Sequence, residues 1–167
     1  MMGTNKLDWD KLFSMQQELD RRIEEGHGLV DENLIDRKIL ALQVELAELA
    51  NETRCFKFWS LKPPAPKDVI LEEYVDGIHF LLSLGIEIGY TGPIEAQGAC
   101  GHGMVEQFNA LFEMISGLRN NQTTDEYVKV FGCFLTLGEE LGFTMEDIQH
   151  AYMKKNEVNH ERQETGY

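Results

Sequence analysis

IDRKILALQVELAELANE (residues 35–52) and VILEEYVDGIHFLLSLGIEIGY (residues 69–90) carry the strongest structural signal in this chain. Apolar residues recur in both segments with the period of an α-helix, so each segment predicts a long helix. Acidic residues interrupt the apolar pattern in two pairs. The members of a pair are three positions apart, which places them on one helix face about a turn from each other. The four residues are Glu45, Glu48, Glu73 and Asp76.

Carboxylates that pack among apolar side chains are costly unless something compensates their charge, and a bound cation is the simplest compensation. We expect all four carboxylates to be buried, with the two helices facing each other across a cation site. A ligand set made only of oxygen favours Mg²⁺, with Mn²⁺ as an alternative, over iron or zinc. Mg²⁺ in such a cage is typical of phosphate chemistry.

Two simpler interpretations compete with this one. A chain with 29 acidic residues contains such pairs by chance, and most of them lie on solvated faces, as we expect for Glu139/Glu140 and Glu161/Glu164. A ferritin-like di-iron site requires a Glu-x-x-His pair on two helices. Only Asp76-x-x-His79 approaches that pattern, so a di-iron site is disfavoured.

Composition limits the classes of partner. The chain has 167 residues, of which 43% are hydrophobic, enough for a single domain over residues 1–167 with its own core. Lys and Arg number 15 against 29 Asp and Glu, which gives a net charge of −14. Such a charge disfavours direct binding to nucleic acid or to an anionic membrane. An anionic small molecule would need local basic groups or a metal ion.

The three cysteines, Cys55, Cys100 and Cys133, form no CxxC or Cys/His metal motif. We expect free thiols in a reducing cytoplasm. The first residues, MMGTNKLDWDKLF, have no apolar core of a signal peptide, and no uncharged run is long enough to span a bilayer.

Helical periodicity dominates the rest of the chain, and no segment has the alternation of a strand. The predicted fold is therefore an all-α bundle of about six helices. The predicted helices cover residues 7–23, 33–54, from 66–69 to 88, 104–118, 125–141, and from the GFTMED segment to about 162.

The succession Glu45-x-x-Glu48 and Glu73-x-x-Asp76 resembles the signature of the all-α NTP pyrophosphatases, the MazG-like superfamily. Further segments, in order along the chain, are similar to those of the dimeric (type 2) dUTPases. These segments are MQQELD (15–20), FKFW (56–59), DGIHFLLSLGIE (76–87) and KKNEVNHERQETGY (154–167).

The resemblance implies a Mg²⁺-dependent dUTP diphosphatase, which converts dUTP and water to dUMP and pyrophosphate. Such an enzyme limits uracil incorporation into DNA and supplies dUMP. The four carboxylates would hold two or more Mg²⁺ ions, with Glu45 and Glu48 as the catalytic pair and Glu45 as the acceptor of the water proton. The resemblance also implies a homodimer, and the apolar positions of 108–118 and 131–137 are candidates for its buried face.

Basic and polar residues near the C-terminus would bind the triphosphate. Lys155, Asn159 and Arg162 are spaced i, i+4 and i+7, on one helix face. By the resemblance, Lys57, Lys155 and Arg162 would contact the outer phosphates, and Asn159 the sugar or the phosphates. Tyr167 would close over the site from the tail. The simpler interpretation is that these are ordinary surface residues.

By the resemblance, the first helix and the residues that follow the second acidic pair would form the uracil pocket, and Gln16, Gln17 and Asp20 fall where the family presents amide or acidic groups to the base. Of Gln16 and Gln17, only one needs to point inward. Asp20 stands where some relatives have Asn, and an ionised Asp can accept the N3–H of uracil but cannot donate to a carbonyl oxygen. Further candidates are His79, Phe80 and Trp59, the last two by stacking. A satisfied core histidine and a core phenylalanine are the simpler interpretations of His79 and Phe80.

Two other functions remain open at this stage. The same scaffold could act on another (d)NTP. Alternatively, the chain could be a non-catalytic helical protein that binds a metal. The Lys155–Asn159–Arg162 face argues against the second, because a plain bundle does not need it.

Overall fold

The computed structural model describes residues 6–98 and 100–167, and in these residues the chain forms six α-helices and no β-strand. The all-α prediction is therefore confirmed. The helices are α1 Trp9–His27, α2 Ile35–Thr53, α3 Lys67–Ile88, α4 Met104–Asn120, α5 Thr124–Glu140 and α6 Met145–Thr165.

Helix α3 lies at the centre and packs against α1, α2, α5 and α6. Its middle is apolar on nearly every side, as expected for a helix surrounded by others. Gly77 permits a close approach to α5, because a Cβ atom there would lie 2.6 Å from Cζ of Phe134. This contact fixes the rotation of α3 about its axis. The rotation in turn sets the direction in which the side chain of the neighbouring residue, Asp76, points.

Local signals set the ends of the helices. Gly28 ends α1 with a φ of 69°, a left-handed conformation that glycine adopts without a steric penalty. Pro66 precedes α3, where a missing N–H costs nothing. Thr144 and Asp147 form a capping box at the start of α6, as the sequence predicts.

The segment between α3 and α4 folds back onto α5. The backbone N–H of Gln97 donates to the carbonyl oxygen of Gly132 at 3.1 Å, and Cys100 forms a disulfide with Cys133. The prediction of three free thiols is wrong for this pair. The two cysteines are 33 residues apart in sequence, so only the path of this segment brings them together. Cys55 is a free thiol.

The apolar run 131–137 does not supply a surface for a partner. Phe131, Phe134, Leu135 and Leu137 are buried within the bundle. They pack in the core because α5 lies against both α3 and α4. Among the described residues, no helix combines the length and apolar character needed to cross a membrane.

Candidate active site

Three of the four predicted carboxylates converge where α2 meets α3. One carboxylate oxygen from each of Glu45, Glu73 and Asp76 lies within 4.8 Å of the other two. Glu73 and Asp76 reach the same place because they are three positions apart on α3. Each of the three side chains is partly buried. This carboxylate cluster is the most concentrated negative charge that the described residues offer to a cation.

Glu48 departs from the expectation of four buried carboxylates, because it is exposed. Positions i and i+3 lie about 60° apart around a helix, so one residue can face the neighbouring helix while the other points past its edge. Glu48 still acts on the cluster through its charge. Burial first, and then the charges of Asp76 and Glu48, raise the pKa of Glu45 from 4.5 to about 8.

Glu73 and Asp76, the other two carboxylates of the cluster, also have raised pKa values. Burial is the main cause for both, followed for Glu73 by the charge of Asp76. The ammonium group of Lys155 opposes the rise at Asp76.

The donor set fits a divalent cation such as Mg²⁺. Atom Oε2 of Glu45 is buried and has no hydrogen-bond partner among the described residues. A buried oxygen without a partner is costly, and a bound cation would satisfy it. All three groups are carboxylates, the ligand type that Mg²⁺ and Mn²⁺ prefer.

Helix α6 brings positive charge to the edge of the cluster. Nζ of Lys155 lies 3.0 Å from Oδ1 of Asp76 and 3.2 Å from Oε1 of Glu72. Further along the same face, Nη1 of Arg162 donates to Oδ1 of Asn159 at 3.3 Å. The predicted helix face therefore turns toward the carboxylates.

A cavity of about 270 Å³ connects these groups with α1. Nine of the residues predicted from sequence line it: Gln16, Asp20, Glu45, Asp76, His79, Phe80, Lys155, Asn159 and Arg162.

A hydrogen-bonded network that joins α1, α3 and α6 forms one wall of this cavity. Oε1 of Gln16 lies 2.8 Å from Nδ1 of His79 and 2.9 Å from the hydroxyl of Tyr152. Because an amide oxygen only accepts, His79 carries its proton on Nδ1. Nε2 of Gln16 donates to Oδ1 of Asp20 at 2.8 Å. Gln16 is thus the buried member of the glutamine pair, and Gln17 is exposed.

His79 is neutral in this wall and keeps one unused acceptor. Burial lowers its pKa to about 3. Its ring stacks on Tyr152 at a centroid distance of 4.3 Å. Its Nε2 atom is buried without a hydrogen-bond partner among the described residues. His79 is therefore only half satisfied, unlike the core histidine of the simpler interpretation.

Six of the predicted residues do not line the cavity: Gln17, Glu48, Glu73, Lys57, Trp59 and Tyr167. Lys57 and Trp59 lie in the loop after α2, where Trp59 is 64% exposed and contacts Phe58 with its ring edge. Tyr167 is 84% exposed, and the centre of its ring lies 4.6 Å from the guanidinium carbon of Arg162. Tyr167 therefore lies at the edge of the cavity, whereas the loop that carries Lys57 and Trp59 lies away from it.

Sequence reasoning missed Lys38 and Ser83, which also line the cavity. Helical spacing could have found both. Lys38 precedes Glu45 by seven positions on α2, and Ser83 follows Asp76 by seven positions on α3, so each shares a face with a carboxylate of the cluster.

Comparison with known proteins identifies the family to which the chain belongs. None of the curated proteins matches this chain. The family model described as dUTPase matches residues 8–167, which include every residue of the cavity wall and the carboxylate cluster. The chain therefore belongs to the dUTPase family, in its all-α dimeric (type 2) class, whose members are nucleoside triphosphate pyrophosphohydrolases of the dUTP diphosphatase type.

Proposed function

We propose that this chain is a Mg²⁺-dependent enzyme that hydrolyses dUTP to dUMP and pyrophosphate, and so limits uracil incorporation into DNA. One observation supports this most directly. Glu45 and Asp76 line the same cavity as Lys155, Asn159 and Arg162. Carboxylates for cations and donors for phosphate oxygens therefore meet within about 270 Å³.

The carboxylate cluster would hold the ions, with Glu48 contributing from its exposed edge. The buried, unpartnered Oε2 atom of Glu45 supports this assignment. When bound, two or more Mg²⁺ ions, or Mn²⁺ in their place, would offset the charge of the triphosphate and lower the pKa of a coordinated water.

Glu45 would accept the proton of the attacking water, because its carboxylate belongs to the cluster beside which that water would be held. The water oxygen forms a bond to the α-phosphorus as the bond from that phosphorus to the bridging oxygen breaks. The products are dUMP and pyrophosphate. Lys155 and Arg162 would bind the oxygens of the leaving pyrophosphate by charge-assisted hydrogen bonds.

The cavity wall formed by the hydrogen-bonded network would receive the sugar and base. Asp20, Gln16 and His79 offer polar groups there, and Phe80 offers a ring for stacking on uracil. Tyr167 would cover the cavity from its position against Arg162. Lys57 and Trp59 would have to reach the nucleotide by a movement of their loop or from a second subunit.

The assembly we propose is a homodimer of single-domain chains. A groove of about 390 Å³ between α2 and α4 is lined mainly by apolar residues, which include Ala47, Phe56, Val105 and Phe112. Val44 lies on the exposed side of α2 and is also apolar. A cytoplasmic location is part of the proposal.

Pyrophosphate release from a panel of dUTP, dCTP, dTTP and UTP in the presence of Mg²⁺ tests the proposal. We expect dUTP to be turned over far faster than the others. Turnover of another nucleotide with dUTP inert would point to a different pyrophosphohydrolase on the same scaffold. No turnover of any nucleotide would point to a non-catalytic metal-binding protein.

A further inference from the structure

Lys38 is a buried lysine that the catalytic proposal leaves without a role. Its side chain is 12% exposed and lines the cavity, about two helical turns before Glu45 on α2. Nζ lies 2.7 Å from Glu87, 3.5 Å from Glu24 and 3.9 Å from Oδ2 of Asp20. Helices α1, α2 and α3 each contribute to this group of charges, which is separate from Glu45 and Asp76.

Asp20 is the acidic member of that group that lines the cavity. Its side chain is 13% exposed. Oδ1 accepts from Nε2 of Gln16 at 2.8 Å, and Oδ2 accepts from the hydroxyl of Ser83 at 2.7 Å. Each oxygen of an ionised carboxylate can accept more than one hydrogen bond, so Asp20 can still accept from a ligand.

Two opposing effects act on the protonation of Asp20. Burial raises its pKa, and the charge of Lys38 is the largest influence that lowers it, ahead of the hydrogen bonds from Ser83 and Gln16. If Lys38 were neutral, the effect of burial would raise the pKa of Asp20 further. Asp20 would then gain a proton more readily and become a hydrogen-bond donor.

We propose that Lys38 is a specificity-determining residue, which holds Asp20 as an acceptor-only group and thereby makes the base pocket select uracil over cytosine. This inference rests on the proposed function, because it concerns which base the cavity admits.

The chemistry of the two bases gives the reason. Uracil presents a donor at N3–H between two carbonyl oxygens, whereas the neutral cytosine ring presents a lone pair at N3. An ionised Asp20 accepts from the first and repels the second. Gln16 has two amide hydrogens and gives one to Asp20, so the other can serve a uracil carbonyl oxygen. A buried polar group left unpaired discriminates far more strongly than an apolar wall does.

The test compares kcat/KM for dUTP and dCTP in the unmodified enzyme, Lys38→Met, Lys38→Gln and Lys38→Arg. We expect the two neutral variants to lose at least about tenfold of the dUTP preference, and Lys38→Arg to keep it. The loss should appear mainly in KM, since the ion-pair partners of Lys38 are Asp20, Glu24 and Glu87 rather than the carboxylates that would hold the ions. Arg21→Met, at an exposed ion pair with Glu25, is the matched control and should change nothing.

A double-mutant cycle separates this role from a merely structural one. Asn at position 20 cannot change its charge, so Lys38→Met should leave the base preference unchanged in an Asp20→Asn background. A structural role would reduce activity toward both nucleotides in both backgrounds. Melting curves identify any variant that fails to fold, and in that case Lys38→Gln replaces Lys38→Met in the cycle.

The pH dependence provides a second readout. The charged or titratable groups around Asp20 are Lys38 from α2, Glu87 from α3, Tyr152 from α6 and Glu24 on its own helix. In Lys38→Met the preference for dUTP should recover as the pH rises and Asp20 loses its proton.

A Lys38→Met enzyme with an undiminished dUTP preference at every pH would overturn the inference. The proposed function would survive that result, because it depends only on the preference of the unmodified enzyme. If the unmodified enzyme lacks the preference, the proposed function fails first.

Discussion

Nζ of Lys155 on α6 lies 3.0 Å from Oδ1 of Asp76 on α3, and the lysine side chain is only 13% exposed. This ion pair joins the basic face of the last helix to the carboxylate cluster. Because Lys155 and Asp76 also line one cavity, a phosphate bound by the lysine would lie next to a cation bound by the carboxylate.

Replacement of Lys155 should therefore weaken triphosphate binding. Lys155→Met removes a charge-assisted hydrogen bond worth about 2 kcal/mol, so kcat/KM for dUTP should fall by roughly 30-fold. Lys154→Met is the matched control, since Lys154 is adjacent in sequence and exposed. Equal effects of the two replacements would contradict the assignment of Lys155.

Glu45 should make the metal-free protein less stable as the pH rises. Its pKa is raised from 4.5 to about 8 in the folded state, so folding binds a proton that the unfolded chain releases. The stabilising contribution is complete below about pH 4.5 and is lost as the pH rises through about 8. Melting temperatures measured in EDTA across that range should fall less for Glu45→Gln than for the unmodified protein. Parallel curves for the two proteins would contradict the raised pKa.

The Cys100–Cys133 disulfide should stabilise the isolated, oxidised protein. It ties the segment between α3 and α4 to α5 and closes a loop of 33 residues in sequence separation, for which a contribution of about 2–4 kcal/mol is typical. Reductant should lower the melting temperature of the unmodified protein but not of Cys133→Ser. Cys55→Ser should retain the response. Three reactive thiols in the unreduced, denatured protein would show that the bond does not form.

The α2–α4 groove should be covered by a second copy of the chain. Phe112→Glu places a charge in this groove and should shift the sedimentation coefficient from dimer to monomer. Glu113→Gln, one position along the same helix, is the control and should leave the dimer intact. A monomer for the unmodified protein at working concentration would contradict the proposed assembly.

The helices were predicted well from the sequence because each has an apolar periodicity and its own start and stop residues. The first helix is longer than predicted, since Gly26 is tolerated inside it and Gly28 provides the left-handed end. Glycine in a helix costs only about 1 kcal/mol, so its position alone does not decide where a helix ends.

Without the family resemblance, which supplied Gln16, Asp20 and Phe80, the site was predictable only where helical spacing carried the information. Spacing identified the faces of Glu73 and Asp76, and of Lys155, Asn159 and Arg162. Spacing could not show which side of α2 faces α3. That orientation is the reason that Glu45 is partly buried and Glu48 is exposed. That outcome depends on packing between helices rather than on either helix alone.

Helical spacing could have placed Lys38 on the face of Glu45, but long-range contacts between residues were beyond a reading of local pattern. Lys38 forms ion pairs with groups on α1 and α3, and the Cys100–Cys133 bond depends on how the segment after α3 folds back. Both arrangements require the tertiary fold.

Pyrophosphate release from dUTP, measured with Mg²⁺ and again with excess EDTA, tests the central claim most directly. Asp76→Asn removes one charge from the carboxylate cluster, and Asp68→Asn, on the exposed first turn of the same helix, is the matched control. We expect rapid release with Mg²⁺ from the unmodified protein and from Asp68→Asn. We expect a loss of at least about 100-fold in EDTA and in Asp76→Asn. Undiminished release in EDTA, or from Asp76→Asn with Mg²⁺, would contradict a metal-dependent reaction at this cluster.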